Sequence, residues 1–343
     1  MSAVRLGLVI VACVAISCGG SGAKSPERER GLAGSGRGRG TGTGTGAPAA
    51  PAPAAAPPPV PGACTVVREA WKFPAVERVI AIGDVHGDLD ATRRALRLAR
   101  VVDEDDQWIG GTTWVVQTGD QLDRGDDEQA ILDWFERLEG EAARAGGRFV
   151  WLLGNHEIMN AAGDLRYVTP GGFADFADVP GLPLERFASA PPQVRARLAA
   201  FAPGGPYARV LAGQHLVAIV GDTAFVHGGI VPGVAARLDD ADQAARCWLA
   251  GHGAPPALIG DPAGPLWDRS LAGDDVDCDQ LGRALAELGV QRLVIGHTPQ
   301  PQGVTSGCDG RVWRIDVGMA RHYGGPTEVI ELTARGAKVL RAP

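Results

Sequence analysis

Residues 78–87 read RVIAIGDVHG, a short apolar run that ends in Gly-Asp and continues as Val-His-Gly. Similar runs, each followed by Gly and a polar side chain, recur at 113–125 (TWVVQTGDQLDRG), 148–157 (RFVWLLGNHE), 223–229 (TAFVHGG) and 292–298 (RLVIGHT). Short continuous apolar runs are typical of strands that are buried on both faces. Because polar residues follow each run directly, the pattern predicts a site at the carboxyl edge of a sheet.

The segments between these runs indicate the fold class. Residues 89–100 and 127–138 carry apolar side chains at helical spacing, so strands and helices alternate along the first half of the domain. Residues 214–229 are typical of a hairpin that turns at Gly221-Asp222, and the segments 312–318 and 328–341 add further strands. We therefore expect an α/β fold with central mixed β-sheets flanked by helices.

The chain divides into three parts by composition. Residues 1–18 are predicted to be a lipoprotein-type signal peptide, and residues 19–62, which are rich in Gly, Ala and Pro, a disordered linker. Residues 63–343 would form the catalytic domain. The strand-helix alternation stops between 160 and 214, and we interpret this insertion as a cap over the site or, equally, as a packing excursion.

The first segment also predicts a location. Arg5 is followed by LGLVIVACVAIS, which ends at Cys18 and resembles a bacterial lipobox. We expect export and acylation of Cys18, which would give an outer-membrane lipoprotein that faces the periplasm. A soluble periplasmic or secreted protein is the alternative. No other run approaches the roughly 20 apolar residues of a membrane-spanning helix.

Charge and cysteines narrow the class of protein further. The chain has a formal charge of -7, and because residues 1–62 are basic, the remainder carries about -11. Such an acidic domain is a poor match for nucleic acid, so none is expected as a partner. Cys64, Cys247, Cys278 and Cys308 allow one or two disulfides in an oxidising compartment, and the sequence does not fix their pairing.

The residues after the five apolar runs are of the types that bind metal ions. Four of the seven histidines lie there, together with carboxylates and an amide. The predicted metal ligands are Asp84, His86, Asp120, Asn155, His227 and His297. Nitrogen and oxygen ligands without thiolate suit Mn, Fe or Zn. Two divalent ions about 3.5–4 Å apart would clamp both sides of a displacement at phosphorus, with Asp120 as the bridging ligand.

At this point a resemblance becomes specific. GDVHG (83–87), GDQLDRG (119–125) and GNHE (154–157) resemble the signature of the phosphoprotein phosphatase family within the calcineurin-like metallophosphoesterases. VHGG and GHT supply the remaining histidines, so the resemblance covers about Val79 to Asp316. LLGNHEIMN, GDLRYVT and FVHGGIVP are similar to the bacterial Shewanella-like phosphatases. The resemblance implies the fold of that family and hydrolysis of phosphate monoesters by a metal-bridging hydroxide.

The resemblance also implies roles for individual residues. Asp84, His86 and Asp120 would hold one metal, and Asp120, Asn155, His227 and His297 the other. His156 would not be a ligand but, oriented by Asp123, would protonate the leaving oxygen. Arg124 would bind the phosphoryl oxygens. Arg269 is the candidate for a second phosphate clamp, and Arg166 competes with it.

Several alternatives stay open. The substrate would be a phosphorylated protein or peptide, with Ser/Thr or Tyr esters both possible, or else a small phosphate ester such as a dinucleoside polyphosphate. A non-catalytic binding lipoprotein is the alternative from another class. His215, His252 and His322 lie outside the motifs and are interpreted as surface or turn residues, whereas Trp114, Trp134 and Trp151 are expected in the core.

Overall fold

The computed structural model describes Cys64, Val66, Val67 and residues 70–342. The predicted signal peptide and the whole of the predicted linker lie outside the described residues, so both stay predictions. Within the described part of the chain, no helix is both long enough and apolar enough to cross a bilayer.

The strands follow one another along the chain as short segments. They are β1 (Lys72–Phe73), β2 (Arg78–Ile82), β3 (Trp114–Gln117), β4 (Arg148–Trp151), β5 (Val217–Val220), β6 (Thr223–Val226), β7 (Arg292–Ile295), β8 (Thr305–Gly307), β9 (Val312–Arg314), β10 (Glu328–Thr333) and β11 (Gly336–Arg341).

These strands form two mixed sheets. One has the order β11-β10-β2-β3-β4, in which β2, β3 and β4 are parallel and β10 runs antiparallel to β2. The other has the order β1-β5-β6-β7-β9-β8, in which β6, β7 and β9 are parallel. The hairpin predicted at Gly221-Asp222 is confirmed, because β5 and β6 pair antiparallel around it. The prediction of mixed sheets is confirmed as well.

The helices lie between the strands. They are α1 (Leu89–Leu98), α2 (Glu128–Arg144), α3 (Asn155–Ala161), α4 (Pro170–Asp175), α5 (Pro192–Phe201), α6 (Pro206–Leu211), α7 (Leu238–Leu249) and α8 (Cys278–Leu288), with short 3-10 turns at Leu184–Phe187, Ala235–Arg237 and Ala257–Gly260. The helical patterns at 89–100 and 127–138 are thus confirmed as α1 and α2.

Apolar burial holds the strands in the centre of the domain. In β2, Ile80 and Ala81 have no exposed surface, and Val115 and Val116 of β3 are equally buried. Burying a Val or Ile side chain contributes about 1.5–3 kcal/mol as an upper estimate. Trp134 and Trp151 lie in this core as expected, while Trp114 is only partly buried and packs against its edge.

The insertion 160–214 is part of the same packed body. Phe176, Phe201 and Tyr207 from its helices make aromatic contacts with one another and belong to the main core. Phe187 and Leu198 form a smaller apolar cluster within the insertion itself. The insertion is therefore anchored to the domain through buried aromatic side chains.

Candidate metal centre and active site

The residues predicted from the strand ends converge in the structure. Asp84 and His86 follow β2, Asp120 follows β3, and Asn155 opens α3 just beyond β4. His227 and His297 follow β6 and β7 of the other sheet. All six side chains are buried, with exposed fractions of 0–6 %. The carboxyl ends of both sheets thus meet at one buried polar site.

Asp120 lies at the centre of this site. Its Oδ1 is 3.2 Å from Nε2 of His227, and its Oδ2 is 3.7 Å from Nε2 of His86. The amide oxygen of Asn155 is 2.9 Å from Nε2 of His227. Two groups of three residues each have donor atoms that lie within 4.8 Å of one another, and both groups contain Asp120. One group is His86, Asp120 and His156, and the other is Asp120, His227 and His297. The two oxygens of Asp120 therefore face different imidazoles, as a bridging ligand requires.

The histidines are oriented as metal ligands are. Nδ1 of His86 lies 3.0 Å from the carbonyl of Leu122, and Nδ1 of His227 lies 2.9 Å from the carbonyl of Thr118. These carbonyls fix Nδ1 as the donor and leave Nε2 free to bind an ion. Nε2 of His297 is buried and has no hydrogen-bond partner among the described residues. The donor set thus fits divalent metal ions.

The electrostatics favour the metal-binding forms of His86, His297 and Asp120. Burial lowers the pKa of His86 to about 4, and burial together with His227 lowers the pKa of His297 to about 3. Burial alone would raise the pKa of Asp120, but His227 and His156 outweigh it and hold that pKa well below the usual value. Neutral imidazoles and an ionised carboxylate are the forms that bind divalent ions.

Asp316 is a member of this site that the sequence analysis missed. It follows β9, its side chain is 1 % exposed, and Oδ1 accepts a hydrogen bond from the backbone N–H of Gly318. Burial and the neighbouring Asp316 and Asp120 raise the pKa of Asp84 well above its usual value. The signal was present in VWRIDVG, where an apolar strand again ends in an acidic residue.

His156 and Asp123 form a tight pair beside the centre. Nδ1 of His156 is 2.5 Å from Oδ2 of Asp123, and Nε2 is 3.7 Å from Oδ2 of Asp120. Burial opposes protonation of His156, but Asp120 and Asp123 outweigh it and raise its pKa to about 9. Nε2 of His156 therefore faces the carboxylate that the two groups of donors share.

Glu157 joins the two loops that carry Asp120 and Asn155. Its Oε1 accepts from the backbone N–H groups of Gln121 and Leu122, and its Oε2 from those of Gly154 and Asp120. Gly154 allows this close approach, since a Cβ there would lie 2.1 Å from Oδ1 of Asp120. In the sequence, Glu157 is recognisable only as part of the GNHE motif, and no sequence pattern indicates these contacts.

The three arginines differ in their surroundings. The guanidinium of Arg124 lies 4.0 Å from the ring centre of Tyr167. Arg269 donates from Nη1 to the carbonyl of His297 at 3.1 Å and to Oγ1 of Thr298 at 2.7 Å, beside the metal ligands. Arg166 is instead paired with both carboxylate oxygens of Asp164. Arg124 therefore lies against Tyr167 and Arg269 beside His297, whereas the guanidinium of Arg166 is paired with Asp164.

One interpretation of the remaining histidines was wrong. His215 is not a surface residue: it is 7 % exposed, and its Nδ1 lies 2.8 Å from Oδ2 of Asp242 on α7. The pairing explains its burial, because Asp242 also accepts from the backbone N–H of Leu216 and satisfies the polar groups there. His322 is exposed, and its ring packs on that of Tyr323.

Comparison with known proteins gives the same family. The calcineurin-like phosphoesterase family matches residues 77–301. Shewanella-like protein phosphatase 2 of Arabidopsis thaliana is 38% identical over 298 residues, which cover 76% of this chain and 76% of that protein. Shewanella-like protein phosphatase 1 of Plasmodium berghei (strain Anka) is 28% identical over 264 residues, which cover 73% and 69% respectively.

A solved structure supports the fold. The cold-active protein-tyrosine phosphatase of a psychrophilic Shewanella species matches with a TM-score of 0.64 and 23% sequence identity, over 80% of this chain and 83% of that chain. At this identity the likeness shows the fold alone. The family match and the sequence relatives show that the chain belongs to the calcineurin-like phosphoesterase family, among the Shewanella-like protein phosphatases, and is a hydrolase of phosphoric monoesters.

Proposed function

We propose that the protein removes phosphate from phosphorylated side chains of proteins or peptides with a pair of divalent ions. The observation that carries the proposal is the convergence of donors from both sheets into two groups that share Asp120. The ligands proposed are Asp84, His86, Asp120, Asn155, His227 and His297. Their nitrogen and oxygen donors favour Mn, Fe or Zn.

The proposed mechanism divides the work among the chain's own residues. Bound divalent ions lower the pKa of a coordinated water and neutralise phosphoryl charge. Arg124 and Arg269 hold phosphoryl oxygens, for which a planar guanidinium is suited. His156, whose Nδ1 is held by Asp123, delivers a proton from Nε2 to the leaving oxygen.

Two tyrosines support a protein substrate. Tyr167 packs on His156 at 5.1 Å between ring centres, and Tyr323, which is 38 % exposed, packs on His86 at 5.3 Å. Aromatic faces beside a phosphate site can stack on the ring of a phosphotyrosine side chain or cover the stem of an alkyl ester. These tyrosines would offer a phosphorylated side chain an aromatic surface beside the proposed metal ligands.

The first experiment tests the metal centre and the acid. Asp120→Asn is expected to abolish hydrolysis of p-nitrophenyl phosphate with added manganese, because the bridging carboxylate is lost. His156→Asn is expected to slow phosphoserine peptides by on the order of 10²-fold or more and p-nitrophenyl phosphate much less, since a good leaving group hardly needs protonation. If Asp120→Asn retained turnover, the proposed metal centre would be refuted. If His156→Asn slowed both esters equally, the role of His156 as a general acid would be refuted.

A substrate panel tests the proposed substrate class. Phosphotyrosine, phosphoserine and phosphothreonine peptides would be compared with dinucleoside polyphosphates, the alternative substrates, on the metal-loaded protein from Cys64 onward. We expect kcat/KM to be higher for at least one peptide class. A preference for dinucleoside polyphosphates over every peptide would replace the proposal by small-molecule hydrolysis, and an inactive chain that binds no metal would indicate a binding lipoprotein.

We also propose that the enzyme acts outside the cytoplasm, tethered to the outer membrane through an acylated Cys18, which lies outside the described residues. Two disulfides, Cys64–Cys247 and Cys278–Cys308, support an oxidising compartment. Mass spectrometry of the mature amino terminus is expected to find a lipidated Cys18. An unmodified terminus farther along the chain would leave the soluble periplasmic or secreted alternative.

A further inference from the structure

Arg197 is a fully buried arginine that the proposed reaction does not yet use. It lies on α5, inside the insertion 160–214, and its exposed fraction is 0 %. A buried guanidinium is costly unless opposite charges and acceptors surround it. Its contacts therefore show which part of the molecule it serves.

All three guanidinium nitrogens have acceptors. Nε donates to Oδ1 of Asn160 at 2.8 Å, and Nη1 donates to Oε2 of Glu128 and, at 2.8 Å, to the carbonyl of Gly172. Nη2 donates to Oε1 of Glu128 at 2.8 Å and lies 3.3 Å from Oδ1 of Asp123. Two carboxylates and two neutral oxygens thus hold the side chain in one orientation.

These contacts end at the carboxylate that orients His156. Oδ2 of Asp123 faces Nδ1 of His156, while Oδ1 accepts from Nδ2 of Asn160 at 3.0 Å and from Arg197. The backbone N–H of Asp123 donates to Oε1 of Glu128, the second partner of Arg197. Rotation of the Asp123 carboxylate would break the bond to His156 and the contact with Arg197 together.

Arg197 has more charged partners than an ordinary buried ion pair. Glu128 already forms a bidentate pair with Arg197, and such a pair does not require a second acid. Arg197 nevertheless also reaches Asp123, whose exposed fraction is 0 % and whose other oxygen is committed to His156. The insertion therefore contacts the pair at two points: Arg197 reaches Asp123, and Tyr167 packs on the ring of His156.

We propose that Arg197 is a positioning residue for proton delivery: through Asp123 and Glu128 it holds His156 in the orientation that protonates the leaving oxygen. The inference rests on the acid role of His156 in the proposed function. The insertion would then contribute to catalysis without covering the site, because Arg197 on α5 contacts Asp123 in the protein interior.

Two variants perturb the network in different ways. Arg197→Lys keeps the charge but cannot form the planar fork to Glu128 and Asp123. Gly172→Ala keeps every charge, and its Cβ would lie 2.9 Å from Oε2 of Glu128 and 3.3 Å from Nη1 of Arg197, so the pair must shift. The second variant keeps the inference testable if Arg197→Lys does not fold.

The readout is the ratio of kcat for p-nitrophenyl phosphate to kcat for a phosphoserine peptide, measured with the metal-loaded protein. A displaced proton donor penalises the poor leaving group, so both variants are expected to raise this ratio, Arg197→Lys by about tenfold or more. Metal content should equal that of the wild type. Arg246→Lys is the matched control, since Arg246 is buried on α7 and donates to the carbonyls of Ala212 and Val67, and its ratio should not change.

A double variant tests whether Arg197 acts through His156. If Arg197 acts through His156, adding Arg197→Lys to His156→Asn should change the ratio less than about twofold, because the donor is already absent. An unchanged ratio in Gly172→Ala and Arg197→Lys, or a full effect in the His156→Asn background, would overturn the inference. If His156→Asn itself slows both esters equally, the acid role in the proposed function fails first, so the two failures are distinguishable.

Discussion

The site residues adopt an unusual backbone conformation. Nine described residues other than glycine have a positive φ, and five of them are His86, Asp120, Asp123, Arg124 and His297. Left-handed backbone costs about 1–3 kcal/mol at such residues and persists only where neighbouring contacts hold it. These dihedrals turn each side chain sharply off the end of its strand and into the centre.

Glu157 supplies contacts that hold this backbone, and a substitution there gives a specific prediction. Glu157→Gln preserves the shape but replaces one oxygen by an NH₂ group, so two of the four N–H donors lose their acceptor. A buried donor without a partner costs about 1–3 kcal/mol, so the free energy of unfolding should fall by about 2–5 kcal/mol. Urea unfolding of the metal-free domain would measure this loss.

Metal binding should weaken in the same variant, because the displaced N–H groups belong to the loops of Asp120 and Asn155. Glu104→Gln is the control: Glu104 is 88 % exposed and pairs with Arg97, so its loss should stay below about 1 kcal/mol. Equal stability of Glu157→Gln and the control would contradict the role of Glu157 as a clamp.

At the residue scale, the sequence predicted the candidate metal ligands but not the residues that hold them in place. Asp84, Asp120 and His227 could be found because each directly follows an apolar run. Asp316, Glu157 and Arg197 act through contacts with residues far away in the chain, such as the 74 positions between Arg197 and Asp123. His215 was misplaced for the same reason, since only the fold brings Asp242 beside it.

At the scale of elements, local signals located most strands but only a minority of the helices. The helix at 89–100 was predictable from its periodicity, and Asp88 caps it by accepting from the backbone N–H of Ala91 at 2.9 Å. The six-residue helices α4 and α6 were not predicted, because each spans fewer than two turns and shows no clear period. Tertiary contacts such as the packing of Phe176 against Tyr207 stabilise them instead.

The cysteine pairing shows the same limit at the level of elements. Four cysteines permit several pairings, and only the fold brings Cys64 to α7 and the start of α8 to the turn between β8 and β9. The insertion 160–214 is a related case: its boundaries followed from the loss of alternation, but not its attachment through Phe176, Phe201 and Arg197. The spacing of residues in the sequence does not indicate which buried faces of the helices and strands contact one another.

At the scale of the whole molecule, the centre lies where the two sheets meet. His227 and His297 come from one sheet, and Asp84 and Asp120 from the other. The sheets approach closely there, since a Cβ on Gly296 would lie 2.3 Å from Oδ1 of Asp84. Ions bound to residues of both sheets would therefore crosslink the two halves of the core.

This arrangement predicts that metal removal destabilises the entire domain. An ion that binds only the folded state adds about 2.7 kcal/mol at a hundredfold excess over its Kd, so two ions should raise Tm by on the order of 5–10 °C for a domain of this size. Calorimetry of the EDTA-treated protein, before and after addition of manganese, would measure the shift. Asp120→Asn should lose most of this response, because both ions would share Asp120 in the proposed centre, whereas His252→Asn, outside the centre, should respond as the wild type does. An equal rise of Tm in Asp120→Asn would mean that manganese stabilises the fold elsewhere, and the crosslink between the sheets would have to be abandoned.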